Sequence, residues 1–459
     1  MTNEHRGMRA WLGLAIGVLV AAGAFAVLLV FARMPPFDRL VTDPAFFRRV
    51  LVFHVNLALV AWFVSFSAAL LFLLPSAGTS ARWTRAGVWV SVSGLCTMAL
   101  AVGMPDAEPV LSNYVPMIDH WLFAVGLLVF GAGVLLSLAD GRLLSDGAPG
   151  IVPAAVPGLK AVGVALLLAA LTFGGSWITR PLGATPETYW ELLNWGVGHT
   201  LQLVSVTAMV VVWLLLAGEA SGRQALRRST ASALFALLLL PWMAAPLLAM
   251  AGTNTATYHD GFTTLMRWAI FPVVSVFAVA CLRSLAHERR RLSLADPRVS
   301  GLLLSISLTV LGFVLGALIR GSNTIVPGHY HAAIGAVTAA FMAVTHPLLD
   351  RVGFPSASAT MHRRAAWQPL VYGVGQMIFA TGFALAGAYG SARKVYGAEQ
   401  AARGLMESLG LAVMGVGGLV AVAGGLLFLW SVLHRWAALS KNARRLEWQK
   451  LDPFTRSNA

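Results

Sequence analysis

The sequence predicts an all-α integral membrane protein, a bundle of twelve transmembrane helices with both termini in the cytoplasm. Three observations carry this. Of the 459 residues, 58% are hydrophobic and 11% charged, whereas soluble domains carry roughly 25% charged residues. Apolar stretches of about 20 residues, long enough to cross a hydrocarbon core about 30 Å thick, recur along the whole chain. The basic residues are distributed unevenly between alternate connections.

Spans are expected near 11–32, 47–74, 84–104, 117–139, 154–176, 190–217, 229–251, 261–283, 299–319, 328–349, 367–390 and 408–433. The first, Trp11 to Val30, is long for a signal-peptide core and lacks a clear small-residue cleavage site, so it reads as a retained span. No stretch resembles a soluble domain, a long linker or an internal repeat, and residues 1–459 read as one transmembrane domain. Helices are the expected element because they satisfy their own backbone groups in lipid.

Orientation follows from Lys and Arg. With the N-terminus inside, the cytoplasmic segments hold most of the 33 basic residues. Among them are Arg223, Arg227 and Arg228, then Arg283, Arg289, Arg290, Arg291 and Arg298, then Arg351, Arg363 and Arg364, and the tail from Arg435 to Arg456. Excess basic residues in cytoplasmic loops are the rule in polytopic proteins. The net charge of +14 is therefore explained without a nucleic-acid partner; the expected surroundings are a bilayer, of the bacterial inner-membrane type. The two cysteines, Cys96 and Cys281, both lie in apolar stretches, which excludes a disulfide framework and a Cys-x-x-Cys metal site.

The eleven histidines separate into two groups. His5, His287, His362 and His434 fall in or beside cytoplasmic loops and His346 near the inner end of span 10; these read as solvated or interfacial. His54, His120, His199, His259, His329 and His331 all fall toward the outer ends of their spans. The orientation came from Lys and Arg alone, so this clustering is independent of it. His54 and His199 lie roughly 10–14 Å inside the outer boundary at ~1.5 Å per residue. Each alone could be an interhelical hydrogen-bonding group. Together they form a layer suited to imidazole ligation of iron or copper. In "VPGHYHAAIG" His329 and His331 point about 200° apart on a helix, so they serve two metals flanking it better than one.

With these residues in place, the chain resembles subunit I of the haem–copper oxidase superfamily, which includes the large subunit of nitric oxide reductases. The resemblance implies two haems, one low-spin and one high-spin, and a second metal that is copper or non-haem iron. "VFHVNLALVAWF" offers His54, and the helix-10 motif offers His331, to the low-spin haem. His329 becomes the proximal ligand of the high-spin haem. "NWGVGHTLQ" offers His199 to the second metal and "TATYHDG" offers His259. The family's adjacent His-His pair reads Tyr258-His259 here, followed by Asp260, and Tyr258 or Asp260 is expected to complete a site that oxygen ligands would bias toward iron. His199, His259 and Tyr258 are the expected catalytic set.

The chain departs from the family elsewhere. The position four residues after the helix-6 histidine, a cross-linked tyrosine in many oxidases, is Leu203, and the seventh span has no tyrosine. The helix-6 glutamate position is Leu201, with Gln202 the only strongly polar side chain nearby. Arg393 and Lys394, between spans 11 and 12, stand where the family sets basic residues against haem propionates, with Arg320 as a further candidate. Arg267 is expected to pair with Asp260, and His120 to be structural.

The resemblance implies a respiratory-chain oxidoreductase reducing dioxygen or nitric oxide, fed by an electron-donating subunit or cytochrome, since no Cys-x-x-Cys-His haem attachment motif is present. Two other classes stay open: a haem-binding membrane protein without turnover, such as a sensor or assembly factor, and a proton-coupled secondary transporter.

Overall fold

The computed structural model describes residues 3–31, 43–76, 81–147, 150–288, 293–354, 359–393 and 404–451. The apolar runs form long helices: α1 (Asn3–Phe31), α2 (Pro44–Leu71), α3 (Ala81–Val102), α4 (Trp121–Leu136), α5 (Pro153–Ile178), α6 (Pro186–Ser221), α7 (Arg228–Met250), α8 (Ala256–His287), α9 (Pro297–Leu318), α10 (Ile325–Arg351), α11 (Ala359–Ala388) and α12 (Leu405–Leu451). Among the described residues, eleven helices are long and apolar enough to cross a membrane, while α4, at 16 residues, is a shorter apolar helix. Eleven of the expected spans thus stand as membrane-length helices among the described residues, and the fourth is too short to count as a span on length alone.

The starts of these helices follow local chemistry. Asp43, Thr185 and Asp296 each stand before a proline at the first helical position, and each accepts a backbone N–H of the first turn. A side-chain acceptor satisfies one orphan donor of the helix start, and proline there loses nothing because its missing N–H would be unpaired anyway. Thr255 caps α8 in the same manner, accepting the N–H of Tyr258. Two helices contain π-turns, Asn56–Ala61 beginning two residues after His54 in α2 and Met266–Ile270 in α8; such bulges are frequent at functional sites.

By its contacts the chain falls into two compact units, residues 1–288 and 289–459. In the first, α3 packs along α4 through glycines. A Cβ on Gly94 would collide with the backbone of Phe130 and Gly126, and one on Gly87 with the carbonyl of Gly133. Ser91 Oγ donates to the Phe130 carbonyl at 3.0 Å across the same seam. Small residues allow this approach, which matters where lipid offers no hydrophobic driving force between helices. α5 lies along α6. A short antiparallel hairpin, β1 (Glu108–Val110) with β2 (Met117–Asp119), joins α3 to α4 and pairs Pro109 with Ile118.

The connection after α4 is secured by a buried ion pair. Arg142, 1% exposed, donates from Nε to Asp140 Oδ1 at 2.8 Å and from Nη1 to the carbonyls of Leu71 and Leu74. The guanidinium therefore meets carbonyls at and just beyond the end of α2, where the helix dipole favours a cation. Burial lowers its pKa, and Asp140 opposes that shift.

In the second unit, α11 and α12 make the most intimate pair. Cβ atoms on Gly375, Gly382, Gly417 and Gly424 would meet the facing backbone at Ala421, Met414, Phe379 and Tyr372. α10 packs on α9 and α11, and the turn before it is tied to the loop after α11 by a Thr324 N–H to Ser391 carbonyl bond of 3.0 Å.

Candidate metal centre

His199 is set by the long helix α6. It is 2% exposed. Its Nδ1 lies 2.6 Å from the carbonyl of Trp195, one turn earlier. A carbonyl can only accept, so Nδ1 carries the hydrogen and Nε2 keeps its lone pair for a ligand. Three rings surround the imidazole, with centroids at 4.2 Å for Tyr114, 4.7 Å for Trp195 and 5.7 Å for Phe262.

Tyr114 reaches this place through strain. It is the non-glycine residue among those described with a left-handed backbone, at φ 64°, a conformation that costs energy unless its surroundings enforce it. The enforcement is visible. Glu191 of α6 accepts both the backbone N–H of Asn113 at 2.7 Å and its side-chain amide at 2.6 Å. Asn194 Nδ2 donates to the Val115 carbonyl at 3.2 Å, and Trp190 Nε1 donates to Asp119 at 2.9 Å. Gly198 completes the fit, since a Cβ there would overlap the Tyr114 side chain.

His259 stands in the first turn of α8, its ring centroid 5.0 Å from that of Trp195. The structure thus brings His199 and His259 to one shared indole. The Trp195 Nε1–H is buried and finds no acceptor among the described residues, a free donor beside two imidazoles.

Tyr258 behaves differently from its expected role. Its hydroxyl lies 2.8 Å from the Gly196 backbone nitrogen, 2.9 Å from the Leu192 carbonyl and 3.2 Å from Ser176 Oγ. The phenol is fully buried and engaged with the backbone of α6. Asp260 is exposed, and so is Arg267. The expected pair between them does not form among the described residues; seven residues along a helix put them roughly 10 Å apart in height. No three His, Cys, Asp or Glu side chains among the described residues converge as a metal-holding group.

His54 in α2 repeats the pattern of His199, with Nδ1 2.8 Å from the Ala22 carbonyl of α1. In the second unit His329 repeats it again, with Nδ1 2.7 Å from the Gly312 carbonyl of α9. A Cβ on Gly316 would come within 2.9 Å of the His329 ring, so α9 is kept bare where that ring lies. His331 faces α11 instead, stacked on Phe383 at 5.5 Å and 6° and meeting Phe379 edge-on at 4.9 Å. The opposite facing read from the His-x-His spacing is therefore present.

Of the basic candidates, Arg393 donates from Nε to Ser322 at 3.1 Å. Lys394 lies outside the described residues. Arg320 turns back onto its own helix end, to the carbonyls of Ala317 and Ile319. His120 accepts the Leu122 N–H at 3.2 Å and caps α4, as a structural histidine should. His346 contradicts the solvated reading, being 4% exposed with neither ring nitrogen partnered among the described residues.

The profile of the family described as Cytochrome C and Quinol oxidase polypeptide I matches residues 7–420. The chain belongs to that family. Its fold is similar to that of a solved haem–copper terminal oxidase dimer, with a TM-score of 0.70 at 16% identity, over 95% of this chain and 84% of that one. An uncharacterized protein of Rickettsia prowazekii is 24% identical, covering 92% of this chain and 94% of its own length. An uncharacterized protein of Aquifex aeolicus is 28% identical over 75% of this chain and 85% of its own.

As a member of the oxidase polypeptide I family, the chain is a multi-pass membrane protein of a haem- and metal-bearing oxidoreductase family. Its histidines fit haem. A metal-ligating imidazole ordinarily gives its other ring N–H to a backbone carbonyl or carboxylate, which fixes its orientation, and His54, His199 and His329 all do so. The fit to a further metal is partial, because two imidazoles share the Trp195 wall without a third converging side chain.

Sequence reasoning missed Tyr114 and Trp195. The "NYVPM" stretch carried one signal: Asn before Tyr in a short connection is a common place for an irregular turn.

Proposed function

We propose that this protein is a terminal respiratory oxidoreductase of the inner membrane of a bacterium, reducing dioxygen or nitric oxide. His54 and His331 would hold one haem and His329 a second. His199 and His259 serve a further metal, copper or non-haem iron. When bound, these groups supply electron transfer and binding of the diatomic substrate.

The chain's own residues do the rest. The Ala22, Trp195 and Gly312 carbonyls hold three imidazoles by Nδ1 and keep Nε2 available. That recurring hydrogen bond is the observation that carries the reading. Trp195 walls the two imidazoles of the first unit and presents an N–H to whatever small ligand sits there. The Tyr258 hydroxyl sets the height of α6 relative to the start of α8 and acts as a positioning group. Arg393, with Lys394 beside it in sequence, would supply positive charge to the propionates of a haem. Both termini lie in the cytoplasm, and electrons come from a partner subunit or cytochrome.

Metal analysis tests the substrate class. Non-haem iron in the purified chain favours nitric oxide, copper favours dioxygen, and neither favours a haem protein without turnover. The last reading draws on one observation, the absence of a third converging ligand among the described residues.

A further inference from the structure

The hairpin between α3 and α4 is anchored on both flanks. On the α2 side, Asn56 Nδ2 donates to the Pro116 carbonyl at 2.7 Å. Arg49 donates from Nε to the Val102 carbonyl and from Nη1 to the Ala107 carbonyl, each at 3.0 Å. Both side chains are buried, so these bonds are shielded from water. On the α6 side, Glu191 holds Asn113 by two bonds, Asn194 holds Val115 and Trp190 holds Asp119. Glu191, Asn194, Trp195, Gly198 and His199 recur at spacings of three and four and share one face of α6. The hairpin is thereby a strap laid from the helix of His54 to the helix of His199.

The apex of the strap is the residue that touches His199. The Val115 N–H donates to the Asn113 carbonyl at 2.8 Å across Tyr114, whose φ is 64°. That is a γ-turn with a positive central φ, the rare and strained form. It sends the Tyr114 side chain toward α6, where Gly198 leaves it room. Tyr114, Trp195 and His199 then form a closed triangle of rings. The centroids lie 4.2 Å apart for Tyr114 and His199, 4.7 Å for Trp195 and His199, and 5.5 Å for Tyr114 and Trp195. A histidine ring keeps two freedoms on a rigid helix: a broad rotation about Cβ–Cγ, and the choice of which nitrogen carries the hydrogen. Nδ1 donates to the Trp195 carbonyl at 2.6 Å only while the ring keeps its present angle. A half-turn would carry Nδ1 away and end that bond, and the Tyr114 ring stands against the swing.

We infer that Tyr114 is a positioning residue for His199 and that the α3–α4 hairpin is the device that holds it there. The Tyr114 ring fixes the imidazole at the angle where Nδ1 donates to Trp195 and Nε2 stays open. The same ring backs the Trp195 indole, which walls His259 at 5.0 Å. A strained backbone persists only where its surroundings over-determine it, and the side chains of α2 and α6 that grip the hairpin do so. Tyr114 itself enters no bond-making step. The purpose of the positioning rests on the proposed second metal; the positioning does not.

Two measurements on the full chain in membrane vesicles separate the positioning from the metal. The first needs no second metal. Nitrogen NMR signals of isotope-labelled histidines are recorded after chelation, with the protein reduced under carbon monoxide so that any ferrous haem is diamagnetic. The sample is held at about pH 8, above the ordinary imidazole range. The His199 signals are identified by their loss in His199→Gln. The parent chain should show one tautomer, with the hydrogen on Nδ1, and so should Tyr114→Phe, which keeps the ring. Tyr114→Gly removes the ring and keeps the turn, since glycine takes a positive φ readily, and it should show both tautomers. Glu191→Leu, which releases the hairpin without altering Tyr114, should do the same. A single Nδ1 tautomer in both Tyr114→Gly and Glu191→Leu overturns the positioning role. So does mixing in Tyr114→Phe, or an equal change in Ser91→Ala, which loosens the α3–α4 seam outside the hairpin.

The second measurement titrates the same variants with cobalt(II) and quantifies bound metal, with His199→Gln as the blank. Tyr114→Gly should weaken binding roughly 10–100-fold, the usual cost of losing a group that orients a metal ligand, and Tyr114→Phe should keep the parent affinity. Equal affinity in the parent chain and Tyr114→Gly overturns the role of the strap in holding the metal. A parent chain that takes up no more cobalt than His199→Gln defeats the second-metal reading, and the nitrogen signals then decide the positioning role alone.

Discussion

The hydroxyl of Tyr258 lies 2.8 Å from the backbone nitrogen of Gly196 and 2.9 Å from the carbonyl of Leu192. Those two backbone groups are four residues apart, the donor and acceptor that an α-helix pairs with each other. A side chain from α8 thus bridges the ladder of α6 one turn before His199, coupling the elements that bear His199 and His259. Tyr258→Phe removes the bridge and leaves buried polar groups short of a partner, which costs about 1–3 kcal/mol. Thermal unfolding in detergent should report that loss together with lower second-metal content. Unchanged stability and metal content would show the bridge to be dispensable.

Trp195→Phe keeps an aromatic wall between His199 and His259 and removes the unpartnered N–H. If that donor serves a small bound ligand, carbon monoxide or nitric oxide should bind the reduced protein roughly 2–10-fold more weakly, the ~0.5–1.5 kcal/mol of one hydrogen bond. Equal affinity in the variant and the parent protein would assign the indole to packing alone.

Gly316→Ala places a methyl group within 2.9 Å of the His329 ring, closer than real Cβ contacts allow. The ring must turn or α9 must retreat, so the carbon monoxide spectrum of the reduced protein should shift or weaken. Gly17→Ala, where a Cβ meets nothing within 4 Å, is the control. Identical spectra for both variants would remove His329 from the site.

Arg142→Met strips the counter-charge from Asp140, which is 4% exposed, and uncaps the carbonyls of Leu71 and Leu74. Breaking a buried pair on one side costs about 3–5 kcal/mol. Arg142→Met together with Asp140→Leu should recover much of it, read as folded yield and thermal midpoint. No difference between the single and double variants would rule out the pair as the source of the loss.

The helices were legible in the sequence because lipid demands long apolar runs, and caps such as Asp43, Thr185 and Asp296 are local. α4 was overestimated, since "NYVPMIDHW" before it is polar enough to fold as a hairpin and its connection. The facing of His329 and His331 follows from helical geometry and was readable. The contacts of Tyr114 were not, because a residue brought in by a strained turn 78 positions from Glu191 leaves no periodic trace. His346 was misread because its position near a basic loop outweighed the apolar run that carries it. The Asp260–Arg267 pairing failed because nearness in sequence is not nearness on a helix.

The most direct test of the account is the reduced-minus-oxidised spectrum of the purified chain with quantified haem, taken alongside His54→Ala, His331→Ala and His329→Ala. Two haems per chain are expected. The low-spin signature should be lost in His54→Ala and in His331→Ala, and the carbon monoxide response only in His329→Ala. A chain without haem, or an unchanged low-spin spectrum in both His54→Ala and His331→Ala, would contradict it.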